Sequence, residues 1–266
     1  MSAKVGAAVI AAIVLAAAAP ALITRVNPET LDILSRLAPP AAGHPLGTDH
    51  LGRDLLSRLV HGARLSLLVA VVSVGGAVLI GVVLGLLAGF YGRWVDAATM
   101  RLVDTFLAFP AILLALALVA VLGAGVTSVI IALALVFWTQ YARVVRAVTL
   151  AEKEKAYVEG ARAIGAGDLR ILLRHILPNV LSPVIILATL GMGSAVVAES
   201  TLSFLGMGVQ PPAPSWGWTL AFGTRYLRDA PHIATFSGLA IMATVLGFNL
   251  LGDGIRDLLD PKFRPQ

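Results

Sequence analysis

Nine charged side chains crowd into residues 151–175, AEKEKAYVEGARAIGAGDLRILLRH: Glu152, Lys153, Glu154, Lys155, Glu159, Arg162, Asp168, Arg170 and Arg174. Their order offers no catalytic device. No G-x-x-x-x-G-K-[ST] occurs anywhere in the chain, so there is no cradle for a nucleotide phosphate. Histidines 44, 50, 61, 175 and 232 fit neither H-x3-H nor H-E-x-x-H, and the absence of cysteine removes disulfides and thiolate ligands. The Gly-x-Gly pairs at 123, 191 and 206 lack the third glycine of a dinucleotide fold. What the charged stretch does have is helical spacing. Tyr157, Ala161 and Ile164 fall at i, i+4 and i+7 on one face, and Lys155–Glu159 and Glu159–Arg162 are spaced to pair along the other. Gly165-Ala-Gly167 permits a tight turn. Asp168 is then placed to cap a second helix carrying Leu169, Leu172, Leu173 and Ile176, and Pro178 to open a third. Two readings fit this bent, charged rod equally: an amphipathic connector resting on lipid headgroups, or a docking element for a partner.

The surrounding elements decide where the rod lies. Of the 266 residues, 58% are hydrophobic and 13% charged, about half the charge of a soluble domain. So few charges cannot cover a water-facing surface, which excludes soluble enzymes and disordered chains. The net charge of +5 then belongs to the flanks of membrane spans rather than to a nucleic-acid interface. Uncharged intervals long enough to cross ~30 Å of hydrocarbon run from Val5 to Thr24, Leu65 to Gly92, Thr105 to Ala142, His175 to Ala198 and Ala230 to Gly252. The third is long enough for two passes, with Gly123-Ala-Gly125 as the turn between them. The expectation is an all-α integral membrane protein of six helices, at about 5–25, 65–90, 98–122, 126–148, 178–202 and 232–252. Residues 200–224, interrupted by Pro211, Pro212, Pro214 and several glycines, read as a loop or re-entrant segment, with Trp216 and Trp218 suited to a membrane–water interface.

With the N-terminus inside, thirteen basic residues lie on the inner side and seven on the outer, which the positive-inside rule favours. Nine charges would cost over about 20 kcal/mol at the bilayer centre, so residues 151–175 protrude into the cytosol. The first apolar run, followed by Ala17-Ala-Ala19, reads as a retained helix, with a cleaved signal peptide as the alternative. Glu199, at the outer end of helix five, is placed to pair a substrate amine or to sit in an interfacial salt bridge. Arg101 and Asp104 are spaced as a local pair. Residues 44–64 set Leu51, Leu55, Leu56 and Leu59 against Arg53, Asp54 and Arg58, an amphipathic helix lying either under an external protein or on lipid. Gly191-x-Gly193, with Ser194, Ala195 and Ala198, suits close helix packing.

Glu159-Gly160-Ala161, Gly165 and Leu177-Pro178 resemble the EAA motif of ATP-binding-cassette importer permeases, Glu-Ala-Ala-x3-Gly-x9-Ile-x-Leu-Pro. Gly160 stands where that motif has alanine, and His175 where it has isoleucine. Further along the chain, His44-Pro-Leu-Gly-Thr-Asp49-x-x-Gly52-Arg53-Asp54, Gly62-Ala-Arg64-Leu-Ser66-Leu, Glu199-Ser-Thr-Leu-Ser-Phe204-Leu-Gly206, Gln210-Pro-Pro with Pro214-Ser-Trp216-Gly217, and Gly252-Asp-Gly-Ile-Arg256-Asp-Leu-Leu-Asp260-Pro are similar to the second permease subunit of the dipeptide/oligopeptide/nickel branch. The likeness is greatest to the dipeptide permeases.

The resemblance implies the type I importer fold and a set of partners: a homologous second permease subunit, one or two cytosolic ATPase subunits that hold ATP and magnesium, an extracytoplasmic substrate-binding protein, and the lipid bilayer of a prokaryotic cytoplasmic membrane. This chain would itself bind no cofactor, metal or nucleic acid and would not be an enzyme. The resemblance also implies that Tyr157, Glu159, Gly160, Ala161, Arg162, Ile164 and Gly165 form the contact with the ATPase, and that Glu199, Phe204 and Trp216 lie near the translocation path or the binding-protein contact. The chain divides into an N-terminal helix (1–25), an external arm (26–64), a core (65–252) that includes the coupling loop (151–178), and a cytosolic tail (253–266). An ATPase-independent secondary transporter is the first rival reading, weakened by the lack of a clear internal repeat and by the uncharged centres of the spans. A rhomboid-like membrane protease is the second, weakened by the position of His175 and His232 at helix ends. Cargo within the branch, peptide or nickel chelate, stays open.

Overall fold

The structure, a computed structural model, describes residues 2–259. Ten α-helices account for most of them: α1 (Ser2–Ala18), α2 (Leu55–Tyr91), α3 (Arg93–Leu107), α4 (Ala111–Leu122), α5 (Val126–Glu152), α6 (Ala156–Ala163), α7 (Asp168–Ile171), α8 (Leu177–Phe204), α9 (Trp216–Arg225) and α10 (Pro231–Leu259). A backbone inside lipid must satisfy its own hydrogen bonds, and helices do so for each apolar interval. Among the described residues α2, α5, α8 with the turns before it, and α10 are long and apolar enough to cross a membrane. The Gly123–Gly125 turn separates α4 from α5 as the glycines suggest, with φ values of 90° and 154°.

Several boundaries depart from expectation. The helix expected over 98–122 is two helices, α3 and α4, bent by 91°. Pro110 is the cause: it disfavours a helical Phe109 before it and can only start the next helix, which it does as the residue preceding α4. The first helix ends at Ala18 rather than 25 because Pro20 follows it; its 17 residues reach about 25 Å. The amphipathic arm helix over 44–64 does not exist as a separate element. Residues 44–54 are loop, and the helix that starts at Leu55, capped by Asp54 accepting from the Ser57 amide at 2.7 Å, runs unbroken to Tyr91. Its charges are not a solvated face either, since Asp49, Arg53, Asp54 and Arg58 are all buried. The second helix expected in the connector is a single turn, α7, leading through a π-helical turn (Leu172–Ile176) into α8. Asp168 is its first residue and not its cap, which is Gly167. The interrupted 200–224 stretch holds the short helix α9. The basic tail residues Lys262 and Arg264 lie outside the described residues.

The longest helix contact joins α2 to α5. Ala77, Gly81, Gly85 and Gly89 recur every fourth residue and are buried, a small-xxx-small stripe that lets two backbones approach. A Cβ at Gly81 would stand 2.5 Å from the Tyr141 Cβ, one at Gly85 would stand 2.7 Å from the Ala142 carbonyl oxygen, and one at Gly89 2.6 Å from the Thr149 Cβ. Around this seam pack Val74, Trp138, Tyr141, Ala195 and Phe248. A second seam joins α1 to α10, where Gly6 meets the backbone of Leu250 and Leu251 and Gly247 meets Val9 and Ile10.

Gly75, one turn before the seam, has open space where a Cβ would go. Gly85→Ala is therefore expected to destabilise the folded chain by about 1–3 kcal/mol through overpacking, and Gly75→Ala to leave it unchanged or slightly more stable. Thermal unfolding of the two variants in the same detergent checks this.

Candidate functional site

The 151–179 connector is held by four side-chain hydrogen bonds at its base. Tyr157 at the start of α6 donates to Glu152 Oε2 at 2.5 Å, and Lys155 Nζ donates to Glu152 Oε1 at 2.7 Å. From α8, Asn179 Nδ2 donates to the Tyr157 hydroxyl at 3.2 Å and to the His175 carbonyl at 2.8 Å. One phenol thus links the end of α5, the start of α6 and the start of α8. Burial of the hydroxyl and then the Glu152 carboxylate push the Tyr157 phenol up to about 12, so it stays a donor throughout the physiological range. Two further ties reach α2. Lys153 Nζ donates to the Gly89 carbonyl at 2.9 Å, and the Arg162 guanidinium lies 5.7 Å from the centre of the Phe90 ring.

The faces of α6 differ from the expected ones. Val158 and Ala161 turn inward, onto a cluster with Leu86, Phe90, Ile171, Leu172 and Ile176. Ala161 is therefore a packing residue, not part of an outer face with Tyr157 and Ile164. Tyr157 is half-exposed and Ile164 is 86% exposed. Glu159 and Gly160 are exposed, and neither expected pair, Lys155–Glu159 or Glu159–Arg162, forms: Lys155 is taken by Glu152, and Arg162 lies over the Phe90 ring. In the following turn Ile171, Leu172 and Ile176 are buried while Leu169 and Leu173 face out. Gly165 ends α6 as a left-handed residue with φ 82°. Its N–H donates to the Arg162 carbonyl at 2.9 Å and that of Ala166 to the Ala161 carbonyl at 3.0 Å, the paired closure of a Schellman cap. The connector is thus an exposed polar and aliphatic surface on a fixed base.

At the other end of α8 sits Glu199, 1% exposed. No basic residue among the described residues pairs with it. Four serines surround its carboxyl: Ser203 donates at 2.7 Å, Ser66 of α2 at 3.1 Å, Ser200 at 3.4 Å and Ser215 at 3.5 Å. The expected interfacial salt bridge does not form among the described residues. Glu199 instead gathers α2, α8 and the start of α9 around one polar centre. Trp216 is buried too, its indole N–H donating to the Leu59 carbonyl at 2.8 Å, so it is not a membrane-surface anchor. Gly217 permits this, because a Cβ there would run into the Ser200 carbonyl. Glu199 and Trp216 offer no free surface to a cargo. Phe204 is exposed and borders a groove of ≈ 280 Å³ with Val197, Ser200, Thr201, Leu220 and Ile241. Along the C-terminal half of α5, Asp104 of α3 pairs with Arg143 at 2.7 Å rather than with Arg101, and Asp96 accepts two hydrogen bonds from Arg146.

Several residues that hold these sites carried no sequence signal as a set. Glu152 and Asn179 stand 27 residues apart, and Ser66 lies 133 residues from Glu199. Val158 was one position away from the expected face, and only the inward turn of the helix distinguishes it.

If the Glu199 centre is held by hydrogen bonds rather than by a fixed charge, Glu199→Gln should unfold within about 1 kcal/mol of the parent. Glu199→Leu, which strands buried hydroxyls, should lose about 2–4 kcal/mol. Denaturation of both in detergent distinguishes these outcomes.

Residues 81–265 match the family described as binding-protein-dependent transport system inner membrane component. The chain is 44% identical over 98% of its length, and 86% of the relative's, to a dipeptide transport system permease protein of Alkalihalophilus pseudofirmus. It is 48% identical to a di/tripeptide transport system permease protein of Pseudomonas aeruginosa, covering 82% and 72% of the two chains. It is also 49% identical to a glutathione transport system permease protein of Escherichia coli, covering 85% and 74%. Its fold is similar to a chain of the MetNI methionine ABC transporter solved in inward-facing conformations, with a TM-score of 0.60 at 22% identity over 76% of this chain and 96% of that one. The bent charged connector and the apolar helices that carry it therefore belong to a member of the binding-protein-dependent inner membrane component family, a permease subunit of an ATP-binding-cassette importer.

Proposed function

We propose that this chain forms one half of a permease that imports dipeptides or other short peptides, and that α6 with the Gly165 turn is where a separate ATPase drives it. The peptide cargo is supported by relatives named for dipeptides, di/tripeptides and glutathione over most of the chain; nickel chelates or other solutes are the alternative within the same branch. In this reading α1, α2, the bent α3–α4 pair, α5, α8 and α10 are the six crossings, both termini are cytosolic, residues 26–64 and α9 face outward, and residues 253–266 form the tail. A homologous permease subunit completes the pathway and a binding protein delivers cargo from outside. ATP and magnesium are held by one or two partner ATPases.

The observation that carries the coupling assignment is the combination on α6. Glu159, Gly160 and Ile164 are exposed at its far end, while Tyr157 ties its near end to both α5 and α8. Movement of a partner seated on that surface reaches two membrane helices through one residue. Alternating access is then rigid-body motion of α5 and α8 around a path shared with the second subunit. Glu159 supplies a charge for the partner's groove, Ile164 an apolar knob, and Arg162 a brace to Phe90. Near the outer face, Phe204 is the residue placed for the path or the binding protein, with Glu199 and Trp216 fixing its surroundings.

Gly165→Pro removes both the left-handed φ and the N–H bonded to Arg162, and Glu159→Lys reverses the charge of the exposed face. Each is expected to lower labelled-dipeptide uptake at least tenfold while the protein still inserts at normal abundance. Normal uptake by both variants would remove the coupling assignment. Binding of the assembled complex to a panel of dipeptides and to nickel separates the cargo readings.

A further inference from the structure

Between α5 and α8 lies a cavity of ≈ 90 Å³, with Gln140 and Tyr141 on one wall and Gly191 and Ser194 on the other, beside Phe137 and Leu187. These residues fall near the middle of their helices, α5 of 27 residues and α8 of 28. Where both helices cross the bilayer, the cavity is therefore far from either surface. A carboxamide and hydroxyls at that depth are costly against hydrocarbon, and polar groups there face the bundle interior or a watered path. No charged residue lines the cavity.

Their own chain leaves these polar groups unused. Hydroxyls elsewhere in the long helices are satisfied locally: Ser73, Thr149, Thr189, Ser237 and Thr244 each donate to the carbonyl four residues back, at 2.6–2.9 Å. Among the described residues the Gln140 carboxamide and the Tyr141 and Ser194 hydroxyls make no hydrogen bond, and all three residues line the one cavity. Gln140 and Ser194 are exposed, whereas the Tyr141 side chain is packed between helices and the residue is 2% exposed. Its hydroxyl reaches the wall of α8 only because residue 191 is glycine; a Cβ there would collide with the phenol oxygen. Three hydrogen-bonding groups from two helices thus converge on a shared space without satisfying one another.

We propose that Gln140, Tyr141 and Ser194 form a subsite of the translocation path that hydrogen-bonds the amide groups of a passing peptide; this rests on the reading of the chain as a peptide permease. A glutamine carboxamide offers a donor and an acceptor side by side, and a hydroxyl offers either, which matches the N–H and C=O of a peptide group. With no charge in the lining, the subsite holds neither terminus of the cargo, and it reads the one feature that peptides of different side chains share. The cavity has room for several water-sized groups, enough for one peptide unit. Its walls are the two helices that Tyr157 ties to the connector, so a stroke there opens or closes the subsite directly.

The test is uptake by the assembled transporter with its binding protein, in proteoliposomes supplied with ATP, of a labelled dipeptide and of its depsipeptide analogue, in which an ester oxygen replaces the peptide N–H. Gln140→Leu, Tyr141→Phe and Ser194→Ala are each expected to lower dipeptide uptake about three- to tenfold at saturating binding protein, the effect of one lost hydrogen bond. The parent should move the dipeptide faster than the depsipeptide, and Gln140→Leu should narrow that difference, which a purely structural role would not do. Dipeptide uptake by all three variants within about twofold of the parent would overturn the subsite and leave the peptide reading standing. So would an unchanged dipeptide-to-depsipeptide ratio in Gln140→Leu. A parent complex that imports no dipeptide would remove the peptide reading, and the subsite with it.

Discussion

The close approach of α2 and α5 is the constraint on which both ends of the molecule depend. Ala77, Gly81, Gly85 and Gly89 allow it, and in a bilayer such packing must supply the association energy that water expulsion supplies in soluble proteins. The 37 residues of α2 reach about 55 Å, more than a bilayer is thick. Its surplus length is used at both ends. The last turn gives Gly89 a carbonyl for Lys153 and Phe90 a ring for Arg162. The first turn carries Leu55, Arg58 and Leu59 into the packed arm beneath α9. Loosening the seam would therefore displace the connector and the arm together.

The two ends treat charge in opposite ways. At the connector, most charged groups are exposed and the ties that matter are few: one phenol, one lysine, one asparagine. Exposed ion pairs are worth little, so nothing there locks the outer face of α6, and a partner can be received without first breaking strong internal bonds. At the arm, Asp49, Arg53, Asp54 and Arg58 are buried in a cluster. Removing one member of such a cluster leaves its partner unpaired in a poor solvent for charge. The arm is built to hold a shape; the connector is built to be held.

Much of this was legible in the residues, and what was missed shares one physical cause. Span positions followed from uncharged length, and the Gly165 turn from the need for a left-handed residue. Pro178 as the opening of α8 followed from proline's missing donor. The break at Pro110 was hidden because 105–142 is uniformly apolar and hydropathy does not register a change of direction. The arm charges were misassigned because an amphipathic pattern assumes water on the polar side, whereas here α9 and its loop cover it. The inward turn of Ala161, together with Val158, was missed for the same reason: spacing gives the faces of a helix but not which one meets the chain. The serine ring around Glu199 and the base of Tyr157 depend on segments brought together only by the fold.

The geometry of α8 bears on how movement at the connector would travel. The helical path from Asp168 to Phe204 is continuous, and it passes through a π turn in which the Leu177 N–H reaches the Leu172 carbonyl. A proline at 178 has no N–H for the carbonyl of Arg174, and the wider turn accommodates that loss without breaking the rod. Had the path broken there, α7 would swing independently of α8 and a push on the connector would dissipate in the joint. An unbroken rod instead carries displacement from Asp168 to Glu199, where hydrogen bonds to Ser66 and Ser215 pass it to α2 and to the base of α9. In the proposed transporter, the same helix that receives the motor's stroke ends at the polar centre beside Phe204, so the inner and outer sites are two ends of one lever.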